Sequence, residues 1–192
     1  MELLLIRHGL PLRINEGDSS GPADPALSDL GRRQSAALAA WLAEEGVDAI
    51  WVSPMRRARE TAVPLADQLA LPVTVDDDLA EFDRDALSYI PIEELKAAKD
   101  PRWNELPERP DHFHATVVAA VERIVSAHPR QRVAVVCHGG VINAYAGHVL
   151  KIDVPLFFLP DYTSVSRVLA ASTGERSIGS LNETAHLRDA LR

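Results

Sequence analysis

Two histidines in this chain each follow a short apolar run and precede glycine. Arg7-His8-Gly9 follows Leu3-Leu4-Leu5-Ile6, and His138-Gly139-Gly140 follows Val133-Ala134-Val135-Val136. If both runs are strands of one open sheet, the histidines end on the side where such sheets bind ligands and face one crevice. A glycine beside each lets the backbone approach a bound group closely. A third feature is Ser53-Pro54-Met55-Arg56-Arg57-Ala58-Arg59, which crowds three arginines into the opening turns of an expected helix. Cations there oppose the helix dipole, and an anionic partner relieves the conflict. For any one of these arginines, a solvated face paired with Glu60 is the simpler reading. Together with Arg7 they make a pocket for phosphate or carboxylate. Helical spacing alone does not choose between Arg56 and Arg57.

The elements that must position these groups follow from the apolar pattern. Leu3 to Ile6 and Val133 to Val136 read as short buried strands, Ala49 to Val52 as another short apolar strand, and Val73 to Val75 as a candidate third. Ser28 caps a helix whose apolar residues Leu30, Ala37, Leu38, Trp41 and Leu42 recur at helical spacing until Gly46. Ser53-Pro54 reads as the cap and first position of the next helix, with Pro64 expected to kink or break it. A short helix is expected near residues 91–99. Another follows a cap at Asp111, with Phe113, Val117, Val121, Ile124 and Val125 on its apolar face, and a third spans roughly 141–150. Residues 156–159, 163–171 and 176–183 read as strands, the last two joined by a Thr173-Gly174 turn. Residues 10–27, rich in proline and glycine, form a long loop. Strands alternating with helices predict an α/β fold, a three-layer α/β/α sandwich whose central sheet is largely parallel with an antiparallel edge.

Composition bounds the function. The 192 residues are 46% apolar and 25% charged, which suits one folded domain. Twenty Lys and Arg against 28 Asp and Glu give a net charge of −8, which argues against nucleic acid as a partner. Cys137 is the one cysteine, so no intrachain disulfide can form and a cytoplasmic location is the simplest expectation. No apolar run approaches a membrane span. His112 and His114 diverge at the start of a helix and read as exposed residues rather than a metal pair; His128 and His148 read as structural or solvent-facing.

The ordered set of motifs resembles the histidine phosphatase superfamily, also called phosphoglycerate mutase-like. The resemblance runs from Arg7-His8-Gly9 through Leu27-Ser28-Asp29-Leu30-Gly31 and Gln34. It continues through Ser53 to Ala58 with Thr61-Ala62, and Val136 to Gly140, to Leu181-Asn182-Glu183-Thr184-Ala185-His186-Leu187. It implies a metal-independent phosphatase, without cofactor, that acts on a small phosphorylated substrate through a phosphohistidine on His8. It makes Arg7, Arg57 and His138 the phosphate-binding groups. Glu81, in Leu79-Ala80-Glu81-Phe82, matches the proton donor, with Asp83 the substitute acid. Asn15, one residue beyond the family's asparagine, is carried over as a candidate substrate contact. Residues 82–110 become a substrate-selecting cap inserted in a single domain, 1–192. Leu10-Pro11 depart from the Glu and Ser or Thr that many members carry after Arg-His-Gly. A phosphoglycerate or phosphosugar mutase on the same fold, and a phospholigand-binding protein with a weakened site, are the competing readings. The stretch 76–111 carries five basic residues against twelve acidic ones, a poor electrostatic match for a bisphosphate and so an argument against the mutase.

Overall fold

The computed structural model of the chain describes residues 1–18, 20–100 and 112–187. Its elements, in order, are β1 (Glu2–Arg7), α1 (Asp29–Glu45), β2 (Ala49–Val52), α2 (Arg56–Leu69), β3 (Val73–Val75), a 3-10 turn (Asp77–Leu79), α3 (Ile92–Ala97), α4 (Phe113–Ala127), β4 (Arg132–Cys137), α5 (Gly139–Leu150), β5 (Val165–Ala170) and β6 (Arg176–Glu183). The strands form one sheet in the order β3-β2-β4-β1-β5-β6. β1, β2, β3 and β4 pair in parallel, whereas β5 runs antiparallel to β1 and β6 antiparallel to β5.

The apolar runs are continuous because the sheet is covered on both faces. In β1 and β4, Leu3, Leu5, Val133 and Val135 pack against α4 and α5 through Val117, Val121, Ile124, Val141 and Tyr145. Their neighbours Leu4, Ile6, Ala134 and Val136 point the other way, onto Leu38 and Leu42 of α1 and Ala58, Ala62 and Leu65 of α2. Each such Leu or Val, fully removed from water, contributes about 1.5–3 kcal/mol. The sandwich therefore has two cores, one on each side of the same strands, and the strand ends are held from both faces.

Most expected elements stand where the periodicity places them, and four details differ. α2 begins at Arg56 with Met55 at its cap, not at Ser53-Pro54, because the Ser53 hydroxyl is engaged by His138 Nε2 at 2.7 Å. That helix runs unbroken through Pro64 to Leu69; burial of Ala58, Ala62 and Leu65 outweighs one missing backbone bond. α5 starts at Gly139, directly after His138. Residues 156–159 form no strand. There the backbone of Phe158 is satisfied instead by the side chain of Asn143, which donates to its carbonyl at 2.9 Å and accepts from its N–H at 3.2 Å. The expected cap at Asp111, and residues 101–110 of the cap insertion, lie outside the described residues. The loop of residues 10–27 is tied down by antiparallel bridges from Pro11 to Leu27 and from Ile14 to Tyr89.

The turn after β1 is locked onto α1 by close backbone approach. A Cβ on Gly9 would come within 2.7 Å of the Gly31 carbonyl oxygen. A Cβ on Gly31 would overlap the Leu10 carbonyl oxygen and lie 2.9 Å from the Leu10 nitrogen. In an ordinary helix, replacing glycine by alanine stabilises by about 1 kcal/mol. Here the added methyl meets backbone, which cannot rotate away, and such overpacking costs about 1–3 kcal/mol. Gly31→Ala is therefore expected to lower the urea midpoint; a midpoint equal to or above that of the wild type would show that the contact has slack.

Candidate active site

β1 and β4 are neighbours in register, with Arg7 opposite Cys137. The next residue of each is a histidine, and the backbone link continues through His8 N–H donating to the Cys137 carbonyl at 3.0 Å. The two imidazoles consequently lie side by side, ring centroids 5.1 Å apart, both buried. The matching strand ends read in the sequence do place the pair together. His8 Nδ1 lies 2.8 Å from the Gly9 carbonyl oxygen. A carbonyl only accepts, so Nδ1 carries the proton and the Nε2 lone pair is left free. His8 lines a pocket of about 300 Å³ together with Arg7, Arg57, Glu81 and Asp83. His138, beside it, is fully buried, with Nε2 on Ser53 and Nδ1 without a partner.

The arginines resolve the ambiguity left by helical spacing. Arg57 is 1% exposed and lies in the pocket, whereas Arg56 is at the surface, paired with Glu60 at 2.7 Å. Arg57 is fixed in two ways. Its Nη2 donates to Asp83 at 2.7 Å, and its carbonyl accepts from Thr61 Oγ1, which in turn accepts from Gly9 N–H at 2.9 Å. Thr61 thus couples the start of α2 to the turn that holds His8. Arg7 Nη1 donates to the Pro160 carbonyl and to Glu93 at 3.1 Å, and its guanidinium lies 3.8 Å from the centre of the Tyr162 ring. Tyr89 faces Arg57 in the same manner at 4.8 Å. Both carboxylates and Tyr89 come from the segment after Glu81.

These contacts leave specific atoms unserved. Arg7 Nε, Arg57 Nε and Nη1, and His138 Nδ1 are buried with no hydrogen-bond partner. A native interior rarely leaves such donors orphaned, and three of these four belong to cations. The arrangement fits a small, multiply charged oxyanion seated next to His8 Nε2.

Glu81 is buried at the pocket's side. Its Oε2 accepts from Gly140 N–H at 2.7 Å and its Oε1 from Phe82 N–H at 3.1 Å. A Cβ on Gly140 would collide with this carboxyl, so the glycine is what lets Glu81 in. Burial, then the neighbouring Asp83 carboxylate, pushes the Glu81 pKa up to about 7 despite those two hydrogen bonds. The histidines are shifted the other way. Burial, then the Arg57 and Arg7 charges, holds His8 well below the usual imidazole range, and the same causes act on His138.

Other candidates fall elsewhere. Asn15 is exposed and outside the pocket; its side chain accepts from Arg13 at 2.7 Å and donates to Asp18 at 3.1 Å, so local partners hold it at the surface. His112 is exposed, but His114 is half-buried with its ring 6.0 Å from that of His148. His128 is structural, accepting from Trp51 Nε1 at 3.0 Å. Among the described residues, no three His, Cys, Asp or Glu side chains gather as metal ligands. Sequence reasoning missed Tyr89, Glu93 and Tyr162. Tyr162 carried a usable signal: an antiparallel strand beside β1 brings its preceding residues, not its following ones, to the site end of the sheet.

The opposed shifts give a clear titration pattern. Below the ordinary histidine value of about 6.5 the unfolded chain takes up protons that buried His8 and His138 refuse, so these groups withdraw stability as pH falls. Glu81 acts in the opposite sense, withdrawing stability as pH rises from 4.5 toward about 7. Carbon-detected NMR is expected to show both imidazoles neutral through the ordinary histidine range around pH 6.5, with the Glu81 carboxyl titrating near 7. An imidazolium signal from His8 in that range would show that the guanidinium groups are further off than the structure has them.

Comparison with known proteins places the chain among relatives of known kind. The chain is 31% identical over 200 residues to phosphoserine phosphatase 1 of Hydrogenobacter thermophilus, covering 97% of this chain and 94% of that protein. It is 42% identical over 106 residues to a bifunctional protein of Mycobacterium tuberculosis, a match to 53% of this chain and only 29% of that longer protein. The solved structure of a mycobacterial glucosyl-3-phosphoglycerate phosphatase with inorganic phosphate superimposes with a TM-score of 0.75 at 25% identity, covering 97% of this chain and 99% of that one. The family model of the histidine phosphatase superfamily (branch 1) matches residues 3–184. With the paired histidines, the buried arginines and this match across nearly its whole length, the chain belongs to the histidine phosphatase superfamily.

Proposed function

We propose that the protein is a phosphomonoesterase that passes the phosphoryl group through His8. The observation that carries this reading is the set of unpartnered buried polar atoms on Arg7, Arg57 and His138 around an imidazole whose Nε2 is free. Family membership and the phosphatases among its relatives support it.

In this scheme His8 Nε2 attacks phosphorus while Nδ1–H stays on the Gly9 carbonyl, so the ring is held in one tautomer and one orientation. Arg7 Nε, Arg57 Nε and Nη1, and His138 as an Nδ1–H donor meet the equatorial oxygens, where charge spreads in the transition state. Asp83 and Glu93 keep their places on the far atoms of the two guanidinium groups and fix their planes. Glu81, protonated at the start of the cycle, gives its proton to the departing alcohol oxygen. The resulting carboxylate then takes a proton from water as that water attacks the phosphohistidine, releasing inorganic phosphate and restoring both groups. A pKa near 7 suits a group that must do both. Two arginines and a histidine supply the charge stabilisation, so the scheme routes no step through a metal ion or cofactor. Residues 82–100, the described part of the cap, supply Asp83, Tyr89 and Glu93 to the pocket region and are the segment that selects substrate. The pocket's only described cations are Arg7 and Arg57, both at its phosphate end. Among the described residues a second phosphate finds no cation of its own there, which favours hydrolysis over mutase action.

Two experiments test the reading. Acid-labile phosphate, trapped by rapid quench from a labelled aryl phosphate, is expected on His8 and to vanish with turnover in His8→Ala; label on another residue overturns the nucleophile. Glu81→Gln is expected to slow alkyl phosphates about 100-fold or more, yet to spare an activated aryl phosphate whose leaving group needs little protonation. Equal slowing of both substrates would make Glu81 structural and leave Asp83 as the acid.

A further inference from the structure

The phosphate end of the pocket is charged, but the walls above it are not. Phe82, Ile90, Ile92, Leu95, Leu156 and Leu159 line the space beyond Arg7 and Arg57, each half-buried rather than fully packed away. They come from two separate segments that line the same pocket, the stretch that includes α3 and the irregular chain after α5. The described polar side chains that line this space with them are Ser88, Tyr89 and Asp83. Asp83 and Glu93 are already spent on Arg57 and Arg7, at 2.7 and 3.1 Å, and the Tyr162 hydroxyl donates to Glu93 at 2.6 Å.

Resting on the phosphatase reading above, we propose that the alcohol released is apolar: the substrate is a monophosphate whose remainder is an alkyl, prenyl-like or aromatic group without a second anion. A carboxylate on the remainder, as in phosphoserine or a phosphoglycerate, would find no described cation beyond the two that hold phosphate. Asp83 and Glu93, already paired with Arg57 and Arg7, offer it no partner either, so its desolvation goes uncompensated. An ammonium or a sugar would lose water to hydrocarbon walls with few partners to replace it. A hydrocarbon chain meets none of these costs and takes the walls out of water as it binds. A pocket of about 300 Å³ is the lower end of the range for small-molecule sites, enough for phosphate and a short chain or one ring.

The test is a series of n-alkyl phosphates from ethyl to hexyl, which share nearly the same leaving-group basicity, so differences report the walls and not the chemistry. The value of kcat/KM is expected to rise about two- to fourfold per methylene until the pocket is filled. Hexyl phosphate is expected to exceed both O-phosphoserine and 3-phosphoglycerate. Leu95→Asn together with Leu156→Asn, both on the rim, is expected to flatten the slope. A flat slope in the wild type, or faster turnover of either carboxylate substrate, overturns this proposal and leaves the phosphatase reading intact. If no phosphomonoester turns over, the phosphatase reading itself has failed. Calorimetric affinities of the same alkyl phosphates then decide the pocket's preference by the same slope, upheld by tighter binding per methylene and overturned by its absence.

Discussion

Two guanidinium groups are buried beside one neutral imidazole, and the rest of the structure can be understood as what makes that tolerable. Burying a charge is costly unless it is paired and hydrogen-bonded. Arg57 has Asp83, and Arg7 has Glu93 and the Pro160 carbonyl, with a tyrosine face against each. Those partners cover only part of each fork. The remainder is kept from relaxing by the surrounding sandwich, since Arg7 ends a strand buried on both faces and Arg57 opens a helix packed through Ala58, Ala62 and Leu65. Burial first, and then the same positive field, keeps the two histidines unprotonated. Charge that would be a liability in a core thus helps His8 to hold a free lone pair.

The opposing carboxyl completes the arrangement. Glu81 sits near the two arginines, yet its proton is held more tightly than usual, because burial and Asp83 outweigh the backbone N–H groups of Phe82 and Gly140. One local cluster thus pushes an imidazole and a carboxyl toward their neutral forms together. That is the starting state an attacking base and a proton donor need if both are to act near neutral pH. The small residues Gly9, Gly31 and Gly140 make the closeness possible at three separate points.

How much of this was legible in the sequence depends on whether a residue lies on a periodic element. Arg7, His8 and His138 end strands whose apolar runs are unmistakable, and parallel neighbours put their ends at one level, so their meeting could be argued from the chain alone. Arg57 needed the family pattern, because helical spacing does not say which of two adjacent arginines turns inward; burial of Ala58 and Thr61 on the same face decides it. Asn15 was misplaced by a one-residue offset in a loop, where no period constrains direction and a nearby Asp18 captures the side chain. Tyr89 and Glu93 were invisible because they lie in a segment without regular alternation, and what brings them over the arginines is a set of long-range contacts, the bridge between Ile14 and Tyr89 and the pairing of Asp83 with Arg57 and Glu93 with Arg7. The expected strand at 156–159 failed for a related reason: its apolar residues are needed as a wall, and Asn143 satisfies the backbone that a partner strand would otherwise engage.

The irregular build of the walls has an evolutionary consequence. The groups that hold phosphate are cast from strand ends and helix starts, embedded in two cores, and almost any change there is felt throughout the fold. The apolar walls come from stretches tied to that base through other groups, Asp83, Glu93 and the Phe158 backbone. Exchanges at the apolar positions between those ties leave the sheet untouched. A lineage built on this plan can therefore diversify what it accepts by drift in its least constrained residues, while its reactive floor is inherited unchanged.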